Sequence, residues 1–199
     1  MISYTLIILF ESRMLLRNGI SCLLREKGYT VVTPLSIEQL TEVLCRPIDG
    51  PVILLVGAAG LKDMLFRMIR ILHSTRLMEL QSVVYQPWQD GLLSRFFISA
   101  GANYCLTEQE LTGHFFLRGN DAEAQRPRRP RHQFSLSELD IMLSYAKGMQ
   151  TRDIATQCHC SYKTVFSIKR NAMYRMEMTA KADWLALMTD ISQLQEKEQ

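Results

Sequence analysis

Lys163, Ser167 and Arg170 follow one another at intervals of four and three residues, which sets an ammonium, a hydroxyl and a guanidinium along one face of a helix. The two cations can donate to guanine O6 and N7, and the hydroxyl is a less selective reader of base edges. Tyr162, Thr164 and Lys169 fall on the flanks of that face and Ser161 just before it. Those positions suit phosphate oxygens, which fix register and carry no sequence information. No comparable set of residues supports covalent chemistry. His73 and His114 have no nucleophile or ligand cluster beside them, and no nucleophile–base pair can be assembled, so an enzyme is not expected. Cys158-His159-Cys160 lacks the second ligand pair of a zinc finger. No metal, other cofactor or small-molecule substrate is expected.

The elements that must carry these residues lie between Phe134 and Leu194. Phe134-Ser-Leu-Ser-Glu138 has the form of a capping box, with Ser135 capping a helix and Glu138 reaching back. Leu136, Leu139, Leu143 and Ala146 recur at helical spacing, and Gly148 supplies a stop. A second short helix is expected from about Thr151, with Ile154, Ala155 and Cys158 facing inward. His159-Cys160 makes the turn and Ser161 caps a third helix, about Tyr162–Met176. There Val165, Ile168, Ala172 and Met176 form an apolar stripe, while Lys163, Ser167, Arg170 and Tyr174 point away from it. A helix, a turn and a second helix with a basic outer face is the plan in which the second helix enters the major groove. A fourth helix, Lys181–Leu194, carries more apolar positions than one packing stripe requires.

Ser161-Tyr-Lys-Thr-Val165, with Leu136-Ser137-Glu138, Gly148 and Ile154-Ala155 before it, resembles the LuxR/FixJ family of bacterial transcription regulators. The resemblance covers about a third of the chain, and its combination of motifs is more specific than any one piece. The chain departs from the family at Ile168, where many members carry His, at Arg175-Met176, where Lys-Leu is common, and at Lys169, where an apolar residue is usual. The run Lys169-Arg-Asn-Ala-Met173 is closer to enterobacterial auxiliary regulators of the Rcs type. The resemblance implies double-stranded DNA as a partner and a homodimer, or a heterodimer with a response regulator. It also implies dimer contacts on the fourth helix, for which Trp184, Met188 and Ile191 are the candidates. Family analogy extends to capsule, motility or fimbrial genes.

Through residues 1–118, strand-like apolar runs at Tyr4–Phe10, Tyr29–Thr33, Val52–Val56, Ser82–Tyr85 and Asn103–Leu106 alternate with helical patterns at 12–26, 36–45, 60–74, 91–100 and 108–117. Such alternation predicts an α/β domain with a five-stranded parallel sheet in the flavodoxin-like order. This half is similar to the receiver domain of response regulators, which implies a pocket with adjacent acids after strand 1 and a phosphate-accepting Asp ending strand 3. Magnesium requires hard oxygen ligands, and the pocket residues here are Glu11, Val56, Gly57, Gln86 and Thr107. Gln86 stands where a hydroxyl is expected and Thr107 where a Lys is expected. A single carboxylate remains, so the expectation is a pseudo-receiver that works without phosphorylation and serves to hold a partner; the alternative is a protein-interaction modulator that sequesters another regulator through this half, with little DNA binding of its own. The helical patterns near Leu61–Leu72 and Leu92–Ala100 are either candidate surfaces for that role or simply core. Gly57-Ala-Ala-Gly60 has neither dinucleotide nor Walker A spacing and is expected to be a tight turn. Met64, Met68 and Met78 are expected to fill core.

The 199 residues carry a net charge of +3, 47% hydrophobic residues and five cysteines. Two domains fit that length: residues 1–119 and 134–199, joined by a basic linker at 120–133. Residues 126–181 hold 11 lysines and arginines against 4 acids, a net of +7, the footprint of polyanion binding. Within the linker, two prolines oppose helix, and Arg126, Arg128, Arg129 and Arg131 are candidate phosphate contacts. The odd, scattered cysteines form no disulfide framework and suit a reducing cytoplasm. The apolar start, Ser3–Phe10, is too short to span a bilayer, and no membrane association is expected.

Overall fold

Near-continuous Val, Ile and Leu runs are what a parallel sheet covered on both faces requires, and the neighbouring strands Leu6–Phe10 and Val52–Gly57 are such runs. In the computed structural model, which describes residues 5–75, 78, 80–113 and 133–196, strands β1 (Leu6–Phe10), β2 (Thr30–Val32), β3 (Val52–Gly57), β4 (Gln81–Gln86) and β5 (Tyr104–Thr107) alternate with helices α1 (Met14–Glu26), α2 (Ile37–Cys45), α3 (Leu65–Thr75), α4 (Gly91–Ala100) and α5 (Glu108–Thr112). The strands are all parallel, in the order β2-β1-β3-β4-β5. That is the expected flavodoxin-like arrangement.

Alternate residues of each strand feed two cores. Ile7, Leu9, Ile53, Leu55 and Val83 face Ile20 and Leu24 of α1 and Leu111 of α5. Ile8, Phe10, Leu54, Val56 and Val84 face α2, α3 and α4. Helix α3 begins later than its periodicity suggests. Lys62 takes a left-handed backbone (φ 47°), and a 3-10 turn, Lys62–Met64, precedes the regular helix. Met68 is buried and Met64 partly so, but Met78, beyond the end of α3, is exposed.

The second domain holds α6 (Leu136–Ala146), α7 (Thr151–Gln157), α8 (Tyr162–Arg175) and α9 (Lys181–Glu196). Ser135 and Glu138 form the expected capping box. Leu136 corrects the expected stripe: as the first residue of α6 it is exposed, and the buried face is Leu139, Ile141, Met142, Leu143 and Ala146. Cys158 is also exposed rather than inward, because α7 ends one residue before it.

The core beside α3 and α4 does not stop at the sheet domain. It runs on through Phe134, Leu139, Met142, Met176, Trp184, Leu187 and Ile191. Phe134 is the hinge pin of this junction. Its N–H donates to Ser99 O (2.8 Å), its carbonyl accepts from His73 Nε2 (3.0 Å), and its ring lies 6.0 Å from that of Phe96. Polar contacts rim the apolar seam. Arg70 pairs with Asp140 at 2.8 Å, Arg95 donates to Met176 O at 3.1 Å, and the Lys147 ammonium stands over Phe66. Of the two readings of α3 and α4, partner surface or core, this arrangement favours core, shared with the chain's own helical domain. Most of the expected linker, with Arg126, Arg128, Arg129 and Arg131, lies outside the described residues, as does His114. Among the described residues no helix is long and apolar enough to cross a membrane.

Candidate nucleic-acid interface and the receiver-like pocket

Helix α8 is capped by Ser161, whose hydroxyl accepts from Thr164 N (3.1 Å) and meets Thr164 Oγ1 at 2.8 Å. The turn before it closes because His159 adopts a left-handed backbone (φ 49°), a conformation His reaches more readily than most residues. Val165 and Ala172 are buried in α8, and Ile168 packs against Ile141, Ile154 and Val165. These contacts lock the helix by one side. Lys163, Ser167 and Arg170 on the other side are all exposed, and the sheet domain covers none of them. Ser161, Tyr162 and Thr164 are exposed beside them, and Tyr174 extends the row.

Lys169 does not belong to this surface. Its ammonium lies 4.1 Å from the Trp184 ring centroid and 4.8 Å from that of Tyr145, whose rings meet edge to face. Burial, with the charge of Lys181, holds its pKa below the ordinary lysine value. A lysine thus takes the apolar position expected in the resemblance by laying its stem inward and giving its charge two π faces. Its expected phosphate contact is not supported by this placement.

Trp184 and Ile191 are buried within the chain and Met188 is partly buried against the same core, since α9 packs on α4, α6 and the 3-10 turn. In this arrangement the expected dimer residues are drawn into the core that the two domains share. Leu185 is a large apolar residue that α9 leaves exposed.

Two features at this site escaped the motif reading. Phe166 is 53% exposed on the flank of α8 next to Arg170 and Lys163; only its place between two outward residues could have marked it. Glu138 does double duty, its Oε2 accepting from Ser135 N and its Oε1 from Arg175 Nε (3.0 Å). Arg175 thereby ties the end of α8 to the start of α6.

The receiver-like pocket gathers Glu11, Gly57 and Tyr85 at the carboxyl ends of β1, β3 and β4. Glu11 is fully buried and takes hydrogen bonds from Arg13 N (2.8 Å), Arg13 Nε (3.0 Å) and the Tyr85 hydroxyl (2.6 Å). Arg13 reaches Glu108 as well, at 2.8 Å. Burial opposes charge on Arg13, yet its bonds to the two carboxylates raise its pKa further above the usual range. Burial and the Glu11 charge raise the Tyr85 hydroxyl. A cation from the chain itself thus sits between the two carboxylates of the pocket. Gly57 faces this cluster, and a Cβ there would run into the Glu11 carboxylate. Val56 points to the opposite face, into the α3–α4 core. Gln86 is buried, donating to Ser94 Oγ (3.0 Å), and Thr107 caps α5 with Glu110.

Residues 132–188 match the family model of bacterial regulatory proteins, luxR family. Among curated proteins no match is found. Of solved structures, RcsB from Salmonella enterica serovar Typhimurium, bound to promoter rprA in the presence of the phosphomimetic BeF3-, superposes with a TM-score of 0.51 at 16% identity, covering 94% of this chain and 98% of that one. A structure of two RcsB dimers bound to two parallel DNAs gives 0.50 at 14% identity, with the same coverage. At such identities the likeness is one of fold, and it spans both domains. The chain therefore carries a luxR-family regulatory domain behind a five-stranded parallel α/β domain.

Proposed function

We propose that this protein is a sequence-specific DNA-binding transcription regulator whose receiver-like half takes no phosphoryl group. The observation that carries the reading is the row Lys163, Ser167 and Arg170, exposed along one face of a helix whose other face is locked into the core. Helix α8 would lie in the major groove, with these side chains on base edges and Ser161, Tyr162 and Thr164 on phosphates. The luxR-family match and the fold shared with DNA-bound RcsB support it. Arg126, Arg128, Arg129 and Arg131 would add phosphate contacts beside the site.

Phosphoryl transfer needs an acceptor and a metal to neutralise developing charge. The pocket offers Gly57 where the acceptor would stand and an internal Arg13 cation between Glu11 and Glu108, which supports a receiver that works unphosphorylated. The chain would then act as a homodimer or beside a response regulator. Exposed Met14, Leu15 and Leu23 on α1 favour that helix for pairing over α3 or α4. By family analogy the targets are capsule, motility or fimbrial genes.

The test is selection of duplexes from a random pool by the full chain, followed by binding across a salt series. Wild type should recover a defined sequence, and Lys163→Ala/Arg170→Ala should lose it. Recovery of no preferred sequence by wild type would overturn the reading and favour a regulator acting only through protein partners.

A further inference from the structure

The row of polar readers on α8 has an apolar neighbour. Phe166 lies three residues after Lys163 and four before Arg170, so it shares a helix edge with both cations. It sits in the first two turns of α8 and is 53% exposed. The two side chains flanking it along that edge are themselves exposed. Docking α8 so that Lys163 and Arg170 reach base edges necessarily carries the Phe166 ring to the groove as well. N-terminal residues of such a helix are the ones that come closest to the bases.

We propose that Phe166 reads a thymine through its C5-methyl group, an assignment that rests on the DNA-binding reading above. The major-groove edges of adenine, guanine and cytosine present N7, O6 or amino groups at the positions a side chain meets, and thymine adds a methyl. A phenyl ring held against a donor or acceptor strips water from it and returns no hydrogen bond, which is costly. Against the thymine methyl the same ring buries apolar surface on both partners. Phe166 therefore selects by reward at thymine and by penalty elsewhere, whereas Ser167 beside it can donate or accept and discriminates less. Lys163 and Arg170 then supply guanine preference on either side, so the recognised element combines guanines with an intervening or adjacent thymine.

Deoxyuridine differs from thymidine by that methyl alone. In the duplex recovered by selection, each thymine is replaced in turn by deoxyuridine and binding is measured for wild type, Phe166→Ala and Phe166→Leu, all as the full chain. Wild type should lose about fourfold at one thymine, the value for burying one methyl-sized group. Phe166→Ala should bind the two duplexes equally, and Phe166→Leu should keep part of the preference. Because Phe166 is exposed, its replacement leaves the core intact, and an unchanged thermal midpoint confirms this. Indifference of wild type to every methyl, or an undiminished preference in Phe166→Ala, overturns the assignment. If Lys163→Ala/Arg170→Ala still abolishes selective binding, only the role of Phe166 falls; if wild type selects no sequence, both readings fall together.

Discussion

Gly57 and Glu11 exclude one another's side chains: a Cβ on Gly57 would lie 2.8 Å from Glu11 Cδ and closer still to its Oε2. The same carboxylate is held from three directions by Arg13 and Tyr85, so it has little freedom to retreat. Gly57→Asp is accordingly expected to remain unlabelled by acetyl phosphate and to lower stability by about 1–3 kcal/mol, the usual cost of overpacking. Mass spectrometry after incubation with acetyl phosphate, beside urea unfolding, checks both halves. Labelling of Gly57→Asp without loss of stability would mean that the Arg13–Glu11 lock opens readily.

Arg13 neutralises a carboxylate with no exposed surface. Removing one partner of a buried pair leaves a charge without compensation, which typically costs about 3–5 kcal/mol. Arg13 itself is 29% exposed, so Arg13→Ala should fall toward the lower end of that range. Arg13→Ala/Glu11→Gln should recover part of the loss, because the stranded charge is then gone. Equal stability of the single and double variants by urea titration would count against the pocket as a charge-balanced unit.

Alkali should unfold the sheet domain from within. Burial pushes the Cys105 thiol up to about 11, and burial with the Glu11 charge raises Tyr85. Both groups are neutral when protonated, so the folded chain holds these protons more tightly than the unfolded one. The Cys105 contribution is whole below the unfolded thiol value of about 8.5 and is lost as pH rises through about 11; that of Tyr85 begins to fall only above about 10. Urea midpoints should therefore decline from about pH 9, with the thiol accounting for about 3 kcal/mol. Cys105→Ala should flatten the decline between about pH 9 and 10, where Tyr85 does not yet titrate. A wild-type midpoint that stays level to about pH 11 contradicts the buried protonated thiol.

The two domains should unfold as one. Phe134 is fully buried where their cores join, with hydrogen bonds from its backbone to Ser99 and His73. Phe134→Ala should cost about 3–5 kcal/mol and split a single calorimetric transition into two. Asp140→Ala breaks the Arg70 pair at the exposed rim and should cost no more than about 1 kcal/mol. Two transitions already present in wild type would refute the continuous core.

The sheet order and the four C-terminal helices were legible because their signals are local: apolar runs, capping boxes and a helical stripe. The outward row Lys163, Ser167 and Arg170 was legible for the same reason, since one face of a helix fixes the other. What the sequence concealed depends on contacts between distant segments. Trp184 and Ile191 look surplus on an isolated helix, and only the packing of α9 on α4, α6 and the 3-10 turn uses them. Arg13 reads as an interruption after the first strand until Glu11 and Glu108 close on it. Leu136 and Cys158 misled by sitting at helix ends, where periodicity does not decide burial.

Lys163 and Lys169 make opposed predictions from a separation of six residues. Lys163 is exposed on the outward face, whereas the Lys169 ammonium is engaged by Trp184 and Tyr145. A lysine that releases counterions from DNA steepens the salt dependence of binding, and losing one such contact lowers the slope by about 1. A lysine held over aromatic rings contributes about 0.5–2 kcal/mol to the fold. Lys163→Ala should thus weaken DNA binding by about 1–3 kcal/mol if it meets a guanine, with the unfolding midpoint unmoved. Lys169→Ala should lower the unfolding midpoint and leave the salt slope as in wild type. Lys169→Met separates charge from bulk: it keeps the stem packed and removes only the ammonium, so its stability should fall between wild type and alanine. A reduced salt slope in Lys169→Met would show that the ammonium leaves its aromatic seat to meet phosphate when DNA binds, and the inward placement would then describe the unbound chain alone.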